Sequence, residues 1–522
     1  MVVSRSSIDL IDPRVQHLPR LTRLAIVVHR WLGVAFCLIF LLWFPSGIGM
    51  MYWDFPSVSP ADRLARSPAL DPAKVVLSPA EAAARLGAPT PTVPSRLNTF
   101  DGRPVYRVRT GRGETLVYAD TGERQGDVST EMMQRIASAW TGQAASAARV
   151  EAIEDVDQWT VQGALRTLRP LWKYSWPNGE QLYISQSSGE VVQYTTTASR
   201  IEAYLGPIPH WLYFTPLRKH QSQWSAFVIW VSGAGTVTAI LGVIIGLSMY
   251  SPSKRYRWAG APTSIPYQGP KRWHMMLGLI FGLAAATWAF SGMLSMDPFP
   301  MRTGGPAGGR RDEEGGIPRA LRGRVELAAF ALKHPREAQA QVPDLAVKEI
   351  ELTSFAGEPV YLAAAARGET RIIPVHGQPL VAFDRQRLIE VVMDAAAPDG
   401  GAEIDVVNHY DAHYRDRRRQ RPLPVILARL HDATETRYYI DPKTARVVAT
   451  YNTRNWVSRW LYHGLHSLDF PWLYNHRPAW DIVVITFMLG GTALSVTSLI
   501  LAWRVVGRTL RVPDESSRSR AS

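Results

Sequence analysis

Four stretches of the chain are apolar and free of Asp, Glu, Lys and Arg over lengths that cross a bilayer core of about 30 Å. They are residues 31–53, 224–250, 273–296 and 482–503. Each has Trp or Tyr at one or both ends, as in the aromatic belts of membrane interfaces. The pattern predicts four membrane helices.

The two long polar segments between these helices alternate apolar and polar residues in short runs, which predicts α+β domains. Ser78 followed by Glu81 predicts the start of a short helix, and another helix is predicted over residues 131–139. Strands are predicted at residues 105–109, 115–120, 158–161, 182–185, 191–194, 360–364, 371–375, 379–384 and 437–444.

A repeat with an offset of 256 residues divides the chain into two tandem halves. The sequence Y-I-S-Q-S-S-G-E-V-V from Tyr183 matches Y-I-D-P-K-T-A-R-V-V from Tyr439. The same offset matches histidines of the two halves, His210 with His466 and His220 with His476. Each half runs helix, domain, short segment, helix, and both start on the same side of the membrane, which indicates a parallel duplication.

The first and third membrane helices carry the same stripe of residues. The stripe consists of His29, Gly33, Phe36, Trp43 and Gly47 in the first and of His274, Gly278, Phe281, Trp288 and Gly292 in the third. Offsets of 0, 4, 7, 14 and 18 residues lie on one helix face. An imidazole, a gap at glycine and then aromatic rings suit a flat cofactor ligated by His. The alternative is a pair of interfacial histidines with glycines that let helices pack closely.

The net charge of +13 is concentrated in three segments. Residues 1–30, 251–272 and 502–522 together hold fifteen Lys and Arg against four acids, or +11 of the total. The positive-inside rule places these segments in the cytoplasm and the two long segments outside. The excess of base is therefore a topology signal, and we do not interpret it as nucleic-acid binding.

Cys37 is the single cysteine, which excludes an internal disulfide, a Cys-ligated cluster and a C-x-x-C-H heme attachment. The first apolar run is not followed by a small-residue cleavage site, which predicts an uncleaved anchor. The predicted layout is a tail (1–23), a membrane helix (24–53), domain 1 (54–205), an interfacial segment with the second helix (206–250), a loop (251–271), the third helix (272–296), domain 2 (297–455), an interfacial segment with the fourth helix (456–504) and a tail (505–522).

Two sets of motifs carry a resemblance to a known family. L-V-Y-A-D-T-G-E and the two repeated Y-I segments resemble the strand–turn–strand ends of PepSY domains. H-R-W-L-G, R-W-H-M-M-L-G-L and Y-H-G-L-H-S-L-D-F-P-W-L-Y resemble the PepSY-associated transmembrane family. That family includes iron-regulated inner-membrane proteins and a ferric-siderophore reductase with two b-type hemes. The resemblance implies a multi-pass protein of the bacterial inner membrane, with cytoplasmic termini and two periplasmic α+β domains of PepSY type.

Ligands of one metal ion must lie at one depth of the membrane, which divides the histidines into two sets. His29 and His274 begin outward-going helices, and this predicts an inner heme. The outer set consists of His210, His220, His463, His466 and His476. We favour His210 with His466 for a second heme, because the motif around His466 most resembles the family. His463 in place of His466, and His220 with His476, stay open as alternatives.

Neutral imidazoles on iron, without Cys or Met, make a low-spin heme b suited to electron transfer. A different metal site is the alternative. It would hold Zn, Fe or Cu between His463, His466 and residues 408–413, since these two histidines are three residues apart on a predicted helix.

Two stacked b-type hemes predict electron transfer across the bilayer, and by resemblance the acceptor is a periplasmic ferric siderophore or other ferric complex. No nucleotide-binding fingerprint opens a helix, and the cytoplasmic segments are too short for a flavin or nicotinamide domain, so the predicted donor is a quinol or another protein. On this interpretation the chain is a heme-dependent ferric reductase. The alternative is a non-enzymatic membrane-anchored protein whose PepSY domains bind peptides or regulate a periplasmic partner such as a peptidase.

Overall fold

The computed structural model of the chain describes residues 19–86, 95–110, 113–298 and 315–509. The N-terminal tail up to residue 18, most of the Gly/Pro/Arg linker after residue 302, and the tail from residue 510 lie outside the described residues. The described chain forms two compact units. We call residues 19–55, 198–298 and 457–509 the helical unit, and residues 56–197 and 315–456 the sheet unit.

The helices, in chain order, are α1 (Arg20–Tyr52), α2 (Pro60–Arg66), α3 (Pro79–Ala84), α4 (Thr130–Thr141), α5 (Thr197–Leu205), α6 (Pro207–Trp211), α7 (Thr215–Arg218), α8 (Gln221–Met249), α9 (Gly269–Leu294), α10 (Gly316–Arg322), α11 (Pro335–Ala340), α12 (Arg385–Ala396), α13 (Leu465–Ser467), α14 (Pro471–Tyr474) and α15 (Ala479–Thr509). A π-helical segment, Val457–Gly464, directly precedes α13. Short 3₁₀ turns occupy Pro72–Lys74, Ala145–Ala147, Gly163–Leu168, Leu327–Leu332, Ala397–Asp399 and Thr453–Asn455.

The strands are β1 (Ser95–Phe100), β2 (Arg103–Thr110), β3 (Gly113–Tyr118), β4 (Arg149–Ile153), β5 (Leu171–Ser175), β6 (Gln181–Ser185), β7 (Val191–Thr195), β8 (Tyr256–Trp258), β9 (Ala261–Thr263), β10 (Glu349–Phe355), β11 (Glu358–Ala366), β12 (Glu369–Pro374), β13 (Ala402–Val407), β14 (Val425–Leu430), β15 (Arg437–Asp441) and β16 (Arg446–Tyr451).

Four helices of the helical unit, α1, α8, α9 and α15, are long and apolar enough to cross a membrane, which confirms the four predicted helices. They form a closed arrangement in which α1 packs on α8 and α15, and α9 packs on the same two helices. Glycine permits the close approach of α8 and α9. A Cβ at Gly282 would lie 2.8 Å from Val243, and one at Gly246 would lie 3.0 Å from Leu279, so each glycine accepts a side chain of the other helix.

A six-stranded antiparallel sheet joins the two halves of the chain within the sheet unit. Its order is β12-β11-β10-β1-β2-β3, so each half supplies three consecutive strands. The halves meet where β1 pairs with β10, with Leu97 opposite Ile350. The sequence predicted two separate domains, whereas these segments form one unit, because each half alone would leave an unpaired edge strand that the other half covers.

A shared core fills one face of this sheet. Leu97, Tyr106 and Val117 of the first half pack with Ile350 and Tyr361 of the second, and all five are essentially excluded from solvent. Each half adds a four-stranded antiparallel sheet and one amphipathic helix. These are β4-β5-β6-β7 with α4 and β13-β14-β15-β16 with α12.

Two predicted strands are wrong. Residues 158–161 form a turn, because the Asp157 carboxylate accepts hydrogen bonds from the backbone of Trp159 (3.1 Å) and Thr160 (3.0 Å). Residues 379–384 make one isolated bridge, from Leu380 to Ile372. The other predicted strands and the helix over residues 131–139 are present, and a capping box at Ser78 starts α3 as predicted. The strands β1, β4, β5, β8, β9, β10, β13 and β14 were not predicted.

We expect Leu97→Ala to lower the free energy of unfolding of the sheet unit by about 2–5 kcal/mol, because it opens a cavity at the junction of the two halves. The measurement is the thermal unfolding midpoint of the purified protein. Leu332→Ala is the matched control, since Leu332 is 67% exposed in the same unit and its loss should cost little. Equal effects of the two variants would contradict a shared core.

Candidate functional site

The first histidine pair, His29 of α1 and His274 of α9, lies between the membrane helices. The ring centroids are 6.1 Å apart and the ring planes are inclined by 43°. His29 donates from Nδ1 to the carbonyl of Thr238 at 2.9 Å. His274 Nδ1 lies 3.2 Å from the hydroxyl of Thr497, which gives its own hydrogen to the Leu494 carbonyl and so accepts from the imidazole. Both histidines therefore keep a lone pair on Nε2.

An apolar cavity of about 360 Å³ contains this pair, a size within the range of small-molecule and cofactor sites. Gly33 and Gly278, the predicted gaps in the two stripes, line it. A Cβ at Gly33 would meet nothing within 4 Å, and one at Gly278 would reach only Leu494, at 3.9 Å. The missing side chains thus leave space beside the imidazoles.

The same cavity is bordered by cations. Its lining includes Arg30, Lys271, Arg504 and Arg508, and no Asp or Glu among the described residues. The cavity therefore suits a flat apolar molecule that carries anionic groups at one edge, since buried or half-buried anions require cationic partners.

The second histidine pair is His210 of α6 and His466 of α13. The ring centroids are 5.8 Å apart, with the planes inclined by 65°. Ser46 of α1 lies 3.3 Å from His210 Nδ1, and Ser291 of α9 lies 3.1 Å from His466 Nδ1. These two serines occupy matched positions, seventeen residues after His29 and after His274. The two halves thus make the same contact.

Both serines act as acceptors for the imidazoles. The Ser46 hydroxyl donates to the Leu42 carbonyl (2.7 Å) and that of Ser291 to the Trp288 carbonyl (3.1 Å), so each oxygen receives a hydrogen from Nδ1. Burial lowers the pKa of His210 to about 4 and that of His466 to about 3. Both imidazoles are neutral near pH 7, with the Nε2 lone pair available.

The glycine that follows each serine packs against the same histidine. A Cβ at Gly47 would lie 3.5 Å from Cε1 of His210, and one at Gly292 would lie 3.6 Å from Cε1 of His466. The Ser-Gly end of each stripe therefore holds the second pair, while its His-Gly start holds the first. The repeated Ser-Gly pair is visible in the sequence, although its spacing by itself assigns no role to the serines. No pattern in the sequence indicates Thr238 or Thr497.

The remaining candidate histidines are placed differently. His220 and His476 are exposed at the starts of α8 and α15, and His476 bonds through Nδ1 to the Trp472 carbonyl at 2.8 Å. His463 lies in the π-helical segment, with its ring 4.6 Å from that of Tyr462. Within the part of the chain that the structure describes, no three His, Cys, Asp or Glu side chains form a group that could hold a metal ion.

The spacing of both pairs fits two imidazoles on opposite sides of one metal ion. With bonds to Nε2 of about 2.0–2.1 Å, as in zinc sites, the ring centroids of two such imidazoles stand roughly 6 Å apart. The pairs measure 6.1 and 5.8 Å. The donors are neutral histidines, and the first pair opens on a cavity with a cationic border. Neutral imidazole donors suit heme b at both pairs, and at the first pair the adjoining cavity and its cationic border suit it as well.

The two pairs lie at different depths of the helical unit. His29 and Ser46 are seventeen residues apart on α1, which at 1.5 Å per residue is about 26 Å. This separation is close to the thickness of a bilayer core, about 30 Å. A ligand set that mixed the pairs is therefore impossible, in agreement with the depth argument from the sequence.

Aromatic side chains occupy the space between the pairs. Phe40 and Phe44 line the first cavity and stack at 6.0 Å. Phe44 contacts Trp288 at 6.0 Å between centroids, and Trp288 contacts Phe487 at 6.2 Å. The carbonyl of Trp288 accepts a hydrogen bond from His466. The aromatic cluster therefore extends from one pair to the other.

The chain matches no protein-family model and no curated protein sequence. The chemical interpretation of the two pairs consequently depends on their geometry and on the resemblance of the motifs around them.

Two adjacent glycines of α15 accommodate this cluster. A Cβ at Gly491 would lie 2.5 Å from Phe44, and one at Gly490 would overlap the ring of Phe281. Gly507 of the same helix has nothing within 4 Å of that position. Glycine is therefore required by packing at two positions of α15 and not at the third.

We expect Gly491→Ala to destabilise the helical unit by about 1–3 kcal/mol, because the added methyl displaces Phe44. Thermal unfolding in detergent measures the effect. Gly507→Ala is the matched control and should be neutral or stabilising, by up to about 1 kcal/mol, since alanine favours a helix over glycine. An unchanged midpoint for Gly491→Ala would show that the packing around Phe44 is looser than the structure has it.

Proposed function

We propose that the chain is a membrane electron-transfer protein that binds two molecules of heme b, one at each histidine pair. The observation that carries this proposal is the presence of two repeat-matched pairs. Each has the spacing of a bis-histidine ligand set and each supplies two Nε2 lone pairs. Four unrelated interfacial histidines would have no reason to meet in this way at two depths.

Heme b bound between two histidines supplies reversible one-electron exchange at its iron. The protein contributes ligation and orientation. At the first pair, Thr238 and Thr497 fix which nitrogen of His29 and His274 is free. At the second pair, Ser46 and Ser291 do the same. Such outer hydrogen bonds hold the ring orientation and raise the basicity of the ligand nitrogen.

The cationic border of the first cavity gives the bound group its orientation. Arg504 and Arg508 follow the apolar stretch of α15, while Arg30 and Lys271 lie beside the two histidines. Carboxylate side groups of a porphyrin would pair with these cations, and its apolar faces would contact the glycines and aliphatic residues of the cavity. A porphyrin lacking those carboxylates would lose this preference.

We place the protein in the bacterial inner membrane, with the first pair towards the cytoplasm and the sheet unit in the periplasm. The support is the concentration of base in the tails and the middle loop. A quinol or another membrane protein would then supply electrons, and the acceptor would lie in the periplasm. The resemblance to siderophore reductases makes a ferric chelate the proposed acceptor, and the chain a ferric reductase with PepSY-type domains.

We expect the wild-type protein, purified with adequate heme supply, to carry about two hemes per chain with a low-spin b-type spectrum after reduction. His274→Ala should lose one heme and keep the other, because it removes a ligand of the first pair alone. Quantified heme per chain and the dithionite-reduced spectrum measure this result.

His476→Ala is the matched control and should keep both hemes. His476 is exposed, and its Nδ1 bonds to the Trp472 carbonyl and not to a member of either pair. Retention of both hemes in His274→Ala would disprove the ligand assignment. A colourless wild-type protein would reject heme binding, and the peptide-binding or regulatory alternative would then take its place.

The proposed orientation makes a separate prediction. Tags fused before residue 1 and after residue 522 should resist protease added to spheroplasts, whereas a cleavage site inserted after Gly400, in the sheet unit, should be cut. Immunoblots of intact and lysed spheroplasts measure the difference. Cleavage of both tags, with protection of the inserted site, would show that the protein has the opposite orientation in the membrane.

A further inference from the structure

The aromatic cluster between the histidine pairs has two arms, and each arm ends at a tryptophan whose position the repeat matches with the other. In one arm, Phe40 contacts Trp43 at 6.1 Å, and the Trp43 carbonyl lies 3.3 Å from His210 Nδ1. In the other, Phe44 contacts Trp288 at 6.0 Å, and the Trp288 carbonyl accepts from His466. Trp43 and Trp288 are both fourteen residues after the stripe histidine. Each half thus places the backbone carbonyl of a tryptophan next to the second pair, so the last step of each arm runs through that carbonyl.

We propose that Trp43 and Trp288 are the electron path between the two histidine pairs. This inference depends on the proposed heme function and assigns it a route. Electron tunnelling falls steeply with each gap across saturated groups, so aromatic rings in contact make the fastest connection through the helical unit. Phe40 and Phe44 connect this route to the first cavity, which they line.

The indole nitrogens supply an independent argument. Trp43 Nε1 and Trp288 Nε1 are buried and have no hydrogen-bond partner among the described residues. An unpaired buried donor costs about 1–3 kcal/mol, and phenylalanine would fill most of the same space without that cost. Stability alone would therefore favour phenylalanine at both positions. The indole ring gives up and accepts electron density more readily than a benzene ring, which is the property that an electron path requires.

The packing around the arms is tight, as a path of fixed distances requires. Trp288 is 7% exposed and Phe44 is 5% exposed. Trp288 also meets the ring of Phe487 edge to face at 6.2 Å. Gly491 lets Phe44 approach α15, and Gly235 of α8 does the same for Phe40, where a Cβ would lie 3.0 Å from the ring. The rings therefore have little freedom to separate.

The proposed step moves one electron and no atoms. His29 and His274 would hold one heme iron, which would supply the electron as it goes from ferrous to ferric, and His210 and His466 would hold the other, which would accept it. A quinol or protein donor would replace the electron at the first pair, and a ferric chelate would take it from the second. The indoles bond to nothing new and are unchanged after each transfer.

The test measures electron transfer between the two hemes directly. A brief light pulse on a ruthenium photoreductant delivers one electron to the purified two-heme protein, and the absorbance changes report its movement between the sites. The His274→Ala protein supplies the reference spectrum of the second heme. We expect the double variant Trp43→Leu/Trp288→Leu to slow the transfer severalfold. Each single leucine variant should slow it less, because the other arm remains, and Trp288→Phe should have the smallest effect, because it keeps a ring.

Heme content and both midpoint potentials are measured on the same samples. They should stay as in the wild type, which separates loss of a path from loss of a site. Trp503→Leu is the matched control, since Trp503 of α15 is 80% exposed and should leave the rate unchanged. A wild-type transfer rate in the double leucine variant, with two hemes bound, would overturn the path and leave the heme function intact. A wild-type protein without heme would overturn both.

Discussion

Each imidazole of the two pairs donates a hydrogen bond to the protein from one ring nitrogen and keeps a lone pair on the other. Backbone carbonyls and hydroxyls of neighbouring helices meet this requirement four times, and in every case they accept from Nδ1. Because the acceptors sit on different helices from the histidines, the same hydrogen bonds fix how the helices pack. This one constraint decides which nitrogen of each imidazole is left free, namely Nε2, on which the proposed binding of a metal ion depends.

The duplication explains why the site is double. The start of each stripe contributes a histidine to the first pair, and its Ser-Gly end supports a histidine of the second. Each pair takes one member from each half, so neither half alone forms a histidine pair. The sheet unit follows the same rule, because its six-stranded sheet is completed only when β1 of one half pairs with β10 of the other. Both units thus depend on contacts between the two halves.

Small residues and aromatic residues have different roles in the packing of the helical unit. Glycines leave space at the first cavity, let α8 and α9 interlock, and accommodate aromatic rings against α15. The rings fill the region between the pairs, where a charged or flexible side chain would be costly or poorly ordered. Each residue type of the repeated stripe therefore has its own role. The histidine belongs to the first pair, the first glycine leaves space beside it, the aromatic residues fill the region between the pairs, and the last glycine packs against a histidine of the second pair.

The sequence by itself determined the four membrane helices, the duplication and the residues of both stripes, because apolar length and helical periodicity are local properties. It also limited which histidines can pair, because the two ends of a membrane helix lie at different depths and their histidines cannot bind the same ion. It did not determine that the two long polar segments share a sheet. It also did not predict that residues 158–161 form a turn held by the Asp157 carboxylate. The sequence favoured His210 with His466 and left His463, His220 and His476 open, and the tertiary structure decided that His210 and His466 meet. His210 and His466 are 256 residues apart, and their approach depends on the packing of α1 and α9 and on the hydroxyls of Ser46 and Ser291. The repeat matches these two histidines in the sequence, but their contact depends on how separate elements pack and not on the spacing within one of them.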